Sequence, residues 1–124
     1  MSIAVKTHTL TINNGAIHHL AQVLAIPGLL TEPADLYRAG QILEEHLVEL
    51  PKPAELAKGT DEINVTITVR KWQRDGQHVL TLTERQRDTA KKAVKASCEK
   101  GQMPPGPALT CLLVELGLVE NEGA

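Results

Sequence analysis

The sequence predicts an α+β domain in which a small antiparallel sheet packs against about four helices. Two stretches predict strands, because polar and apolar residues alternate near the N-terminus and again after residue 60. Several other segments repeat apolar residues at intervals of three or four, as helices do. The chain has 124 residues, enough for one core of ordinary size, and we expect a single domain over residues 1–124.

The first predicted strand covers residues 3–12, with Leu10 and Ile12 on one face and threonines on the other. Asn13 or Asn14 can then cap a helix over residues 16–26, because a short polar side chain accepts a hydrogen bond from an unpaired helical N–H. Pro27 and Gly28 end that helix.

A second helix is expected to begin after Thr31 and to end before Pro51. Its inward stripe is predicted from residues three or four positions apart: Leu36, Ala39, Gly40, Leu43, Leu47 and Leu50. Gly40 costs about 1 kcal/mol relative to alanine in a helix, and the close approach of another backbone would compensate for it. Residues 51–59 form a connector that contains proline.

Residues 63–83 are predicted to form a β-hairpin that completes the sheet. Its first arm alternates Ile63, Val65, Ile67 and Val69 with polar residues, so Val65 and Ile67 are expected to face the helices. Its second arm covers residues 78–83, and Asp75-Gly76 favours a tight turn between the two.

A helix over residues 84–100 follows the hairpin. Thr83 and Gln86 stand three positions apart and predict a capping box at its start. Residues 101–107 reverse the chain, residues 109–116 form a short apolar helix, and residues 119–124 are expected to be a frayed tail.

The sequence LTERQ at residues 82–86 is followed by Gly101, by Met103-Pro104-Pro105 and by Leu116-Gly117. In this order the motifs resemble the first two helices of the winged-helix DNA-binding domain of the LexA repressor family. The recognition helix and wing of that family would follow Gly117, where seven residues remain. The resemblance therefore implies a helical hairpin over residues 82–117 and no DNA-contacting residue.

Charge is segregated along the chain although the net charge is only −2. Residues 70–100 contain nine basic and four acidic residues, whereas the rest contains four basic and eleven acidic ones. Such asymmetry is typical of an electrostatic docking surface, and equally of a solvated helix face.

Catalytic and metal signatures do not appear in the sequence. His18 and His19 are adjacent, so on a helix they point about 100° apart and cannot share an ion as an i, i+4 pair would. Cys98 and Cys111 lie in apolar helical segments where a reduced, packed thiol is expected, with a disulfide between them as the alternative. We therefore predict no enzymatic activity, no metal and no cofactor.

The predicted partner-binding surface centres on Trp72, which stands among Arg70, Lys71 and Arg74 near the expected hairpin tip. Tryptophan and arginine are enriched at the hot spots of protein interfaces. The alternative is that Trp72 folds back onto the core.

These observations favour a small non-enzymatic interaction module, of the kind that phages or mobile elements encode as accessory or inhibitor proteins. We expect it to be cytoplasmic, without a membrane partner, and to form a homodimer through its opposite charges. The alternative function is a nucleic-acid-binding regulator that uses the basic segment on phosphates. Beyond the three cations beside Trp72, its contacts would be Arg85, Arg87, Lys91, Lys92 and Lys95.

Overall fold

The structure is a computed structural model that describes residues 6–56, 58–59 and 61–119. In chain order the elements are β1 (Thr7–Ile12), α1 (Asn14–Ala25), α2 (Pro33–His46), α3 (Glu62–Arg74), β2 (His78–Thr83), α4 (Glu84–Glu99) and α5 (Pro107–Glu115). The α+β prediction is confirmed. Most of the predicted tail and the start of the predicted first strand lie outside the described residues. No helix in the described part of the chain is long and apolar enough to cross a membrane.

The two strands pair antiparallel and turn one apolar face inward. Leu10 lies opposite Leu80, and these two side chains are buried together with Ile12 and Leu82. Helices α1 and α4 contribute the other side of the core through residues such as Leu20 and Val94. The threonines of β1 face away from this core, as the alternation predicted.

Local capping chemistry was predicted correctly at two helix starts. The Asn13 side chain accepts a hydrogen bond from the Ala16 N–H at 2.8 Å and begins α1. At the start of α4, the Gln86 N–H donates to the Thr83 hydroxyl and the Thr83 N–H donates to the Gln86 side chain, which completes the capping box.

The first arm of the predicted hairpin is wrong, because residues 62–74 form helix α3 rather than a strand. Within the described residues the sheet therefore has two strands. Asp61 caps the helix by accepting from the Asn64 N–H at 2.8 Å. Ile67, expected to face the helices, is 58% exposed. Ile63 and Ile67 are four residues apart, as are Val65 and Val69, so the same residues also fit a helix. In the folded protein this helix is stabilised by contact with α1 and α5.

The buried face of α2 also differs from the predicted stripe. Asp35, Ala39 and Ile42 are buried, whereas Leu36 is 52% exposed and a Cβ added at Gly40 would have no heavy atom within 4 Å beyond its chain neighbours and the helix's own backbone. Relative to the prediction, the helix is rotated about its own axis by roughly the 100° that separates consecutive residues. In this orientation Asp35 faces the interior, where it has hydrogen-bond partners.

The buried carboxylate of Asp35 joins α2 to α4. Lys92 Nζ donates to Asp35 Oδ2 at 2.7 Å, the Thr89 hydroxyl donates to Oδ1 at 3.3 Å, and Arg38 lies 3.6 Å away. The hydrogen bond from Lys92 lowers the pKa of Asp35, and burial opposes this shift only in part. A charged residue on the inner face of a helix is tolerated when it is paired in this way.

The Asp35→Asn variant is expected to lower the free energy of unfolding at pH 7 by about 1 to 3 kcal/mol. Because folding lowers the pKa of Asp35, its contribution is complete above the ordinary aspartate pKa of about 3.9 and is lost as pH falls through the folded value. When urea unfolding is measured at several pH values, the free energy of unfolding should therefore fall less steeply with decreasing pH in the variant than in wild type. Glu99→Gln, at an exposed site of α4, is the control, and an identical acid dependence in wild type and Asp35→Asn would contradict the prediction.

Candidate functional site

Helix α3 carries two stripes of side chains, and one of them is not covered by the described part of the chain. The half-buried stripe packs toward α1 and α5 and consists of Val65, Thr68, Val69, Trp72 and Gln73. The exposed stripe consists of Ile63, Ile67, Arg70, Lys71 and Arg74. Ile63 is 73% exposed, and Ile67, four residues later on the same face, is also exposed. Large apolar side chains that are exposed next to each other are typical of interaction sites.

The exposed stripe forms one wall of a groove, and the loop before α5 forms the other. This α3 groove has a volume of about 600 Å³ and is lined by Ile67, Arg70, Lys71, Arg74, Pro105, Gly106 and Pro107. A shallower depression of about 310 Å³ continues past Ile67 to Glu62, Ile63 and Thr66. Apolar contact is therefore available beside three cations.

The electrostatics of the α3 groove favour an anionic ligand. Among the described residues, Arg70, Lys71 and Arg74 have no carboxylate oxygen within 4.0 Å. The first turn of α5 contains no acidic residue, and its N-cap, Gly106, provides no side-chain hydrogen bond. The positive end of that helix dipole adds to the potential of the three side chains.

Trp72 lies on α3 and not on a projecting loop, so that part of the predicted geometry is wrong. Its ring is half-buried and lies 5.2 Å from the His18 ring of α1, at an interplanar angle of 59°. The residues that line the α3 groove include its three cationic neighbours but not Trp72 itself. Three of the four predicted partner-binding residues are thus brought together, and the fourth is half-buried beside His18 of α1.

Asn14 fixes this end of α3 to α1 and β2. Its backbone N–H donates to the Asp75 carbonyl at 2.9 Å, and its side-chain amide donates to the Trp72 carbonyl at 3.1 Å. Its Oδ1 lies 2.7 Å from Nε2 of His78. These bonds hold the last turn of α3 against the start of α1, which positions Arg74 beside the proline loop.

Of the residues predicted to bind nucleic acid, the five beyond the α3 cations are on α4, where several have partners. Lys92 is paired with Asp35 and Glu32, and the Arg87 guanidinium donates to the Leu116 carbonyl at 3.2 Å. Arg85, Lys91 and Lys95 have no carboxylate within 4.0 Å among the described residues. Helix α4 packs on α2, α1 and the sheet, whereas α3 packs on α1 and α5. The basic segment is thus divided between two helices that share α1 as a neighbour but otherwise pack on different elements.

The histidines and cysteines do not assemble into a reactive centre in the described part of the chain. No group of three or more potential metal ligands occurs in it. Burial, followed by the neighbouring His18, lowers the pKa of His19. Burial also raises the pKa of the Cys111 thiol, which disfavours the nucleophilic thiolate. Cys98 and Cys111 are free thiols.

Sequence reasoning missed Ile63, Ile67, Pro105 and Pro107 as parts of this surface. The signal for the first two was present, because Ile63, Ile67, Arg70, Lys71 and Arg74 follow helical spacing once Asp61 is taken as an N-cap. No local signal could place the prolines against α3, because they come from a distant part of the chain. The chain matches no protein-family model, no curated protein and no solved structure.

Proposed function

We propose that this protein is a non-enzymatic interaction module whose α3 groove binds an acidic segment of a protein partner that also carries apolar side chains. The observation that supports it is the exposed stripe of α3, where two isoleucines stand next to three cations that have no carboxylate partner among the described residues. Apolar burial would supply affinity, and charge complementarity would supply association rate and choice of partner.

A module of this kind acts by occupying a surface of its partner. The segregation of its charge supports the class of phage or mobile-element accessory and inhibitor proteins. Arginine next to an apolar contact is the composition of interface hot spots, and Arg70 and Arg74 supply it on one face of α3.

A peptide array gives a direct test of this function. Random peptides should be probed with labelled wild-type protein and, in parallel, with the Ile67→Asp variant. We expect the retained peptides to be enriched in Asp or Glu near Leu, Ile or aromatic residues, and we expect Ile67→Asp to retain few of them. Retention of basic peptides, or equal retention by the two proteins, would contradict the proposal.

The Ile67→Asp variant should separate binding from stability. Because Ile67 is 58% exposed, we expect its free energy of unfolding to change by less than about 0.5 kcal/mol. Binding of a selected peptide should weaken at least about tenfold, since the carboxylate would lie among the cations and remove apolar contact. Val79→Asp is the matched control, because Val79 is 64% exposed on β2 and lies outside the α3 groove. Equal peptide affinity for the two variants would disprove the role of Ile67.

The alternative function, a nucleic-acid-binding regulator, is supported by the exposed cations Arg85 and Lys95 and the half-buried Lys91 on α4. Titration of a short DNA duplex at about 50 and 200 mM salt tests it, because neutralisation of several phosphates makes binding strongly salt-dependent. Binding that is weakened by Lys91→Ala and Lys95→Ala and not by Ile67→Asp would favour this alternative.

A further inference from the structure

The outer surface of α2 has the chemistry that the α3 groove would select. A shallow depression of about 410 Å³ is lined there by Leu36, Tyr37, Gly40, Gln41, Glu44 and Glu45. Tyr37 is 68% exposed, and Leu36 and Glu44 are exposed beside it. This helix therefore presents an acidic and partly apolar face that is not covered by the described part of the chain.

The two surfaces agree in order and in spacing. On α3 an apolar residue, Ile67, is followed seven positions later by Arg74, and on α2 Tyr37 is followed seven positions later by Glu44. Seven positions correspond to about 10.5 Å along a helix axis. When the two helices lie side by side in the same direction, apolar residues meet at one end and opposite charges meet at the other.

Gly40 explains how two helices with long side chains could approach. Beyond its chain neighbours and the helix's own backbone, a Cβ at this position would have no heavy atom within 4 Å, so no packing contact in the described chain requires the glycine. It leaves a gap in the ridge of α2 between Tyr37 and Glu44. The stems of Arg70 and Lys71, which lie between Ile67 and Arg74 on α3, can cross that gap.

We infer that the α3 groove of one copy of this protein binds α2 of a second copy, in a head-to-tail contact. The inference rests on the proposed function, since it names the partner of the same groove. Such a contact joins two different surfaces, so a pair of copies retains one free groove, on one copy, and one free α2 face, on the other. The assembly is therefore a closed ring or an open chain, and its mean mass rises with concentration.

A charge exchange tests the contact. Light scattering after gel filtration at low salt should show wild-type protein with a mass above that of one chain, which falls as salt is added. Arg74→Glu and Glu44→Lys should each raise the dissociation constant at least about tenfold, and the double variant in one chain should recover association. The controls are Lys95→Glu and Glu99→Lys, which make the same charge changes at exposed sites of α4 and should associate like wild type.

Three results would overturn the inference: a wild-type protein that stays monomeric at all concentrations, single variants that associate like wild type, or a double variant that does not recover. Association that Glu44→Lys abolishes and Arg74→Glu leaves intact would indicate an α2–α2 contact and would also overturn it. The acidic peptides from the array separate the two proposals. If the protein binds these peptides but stays monomeric, the proposed function is retained and self-association is rejected. If it neither binds the peptides nor associates, both proposals are rejected.

Discussion

The Gly15→Ala variant is expected to lower the free energy of unfolding by about 2 to 3 kcal/mol, although alanine is the better helix former. A Cβ at Gly15 would lie 2.7 Å from Cβ of Gln73 and 2.8 Å from Cβ of Ala108. Both are the first atoms of their side chains, attached to α3 and α5, so neither can move without its backbone. Three helices thus approach one another at a position where only hydrogen fits.

Gly40→Ala is the matched control, because it adds the same methyl group to α2 where no atom of another element lies within 4 Å. That variant should gain up to about 1 kcal/mol from helix propensity. Urea unfolding followed by circular dichroism measures both changes. Equal effects at the two positions would mean that α1, α3 and α5 do not meet at Gly15.

The Gly15 contact also explains why α3 could not be predicted from its own residues. Ile63, Val65, Ile67 and Val69 fit a period of two, and Val65, Thr68, Val69 and Trp72 fit a helix equally well. β-Branched residues favour the strand in isolation. The helix is stabilised over the strand by packing against α1. There Gly15 allows close approach of α3, and Asn14 forms a hydrogen bond to the last turn of α3.

Elements with local signals were predicted more accurately. The Asn13 cap and the box of Thr83 and Gln86 involve residues within three positions of each other, so their hydrogen bonds can be inferred from the sequence. The buried face of α2 was missed because Asp35 looks like a surface residue until Lys92 is brought next to it. In the candidate site, the three cations could be predicted from the sequence, but Pro105 and Pro107, which line the other side of the α3 groove, could not.

The Trp72→Ala variant is expected to lower the free energy of unfolding by about 2 to 3 kcal/mol, less than for a fully buried aromatic residue. The ring packs on His18 and belongs to the half-buried stripe that attaches α3 to α1. Because α3 has no fully buried residue, its largest side chain should account for much of its attachment. Tyr37→Ala is the control, since that ring is 68% exposed and its loss should change stability by less than about 0.5 kcal/mol.

The same Trp72→Ala protein decides between the two roles considered for this residue. If Trp72 attaches α3, hydrogen exchange in residues 62–74 should accelerate more than in α4, because the helix would open locally before the core unfolds. Peptide binding, measured at a temperature well below that of unfolding, should then weaken only in proportion to the fraction of molecules in which α3 is locally open. Unchanged stability and unchanged exchange, together with a loss of peptide affinity, would instead place the ring in the binding surface. The α3 groove would then have to extend across the last turn of the helix toward His18.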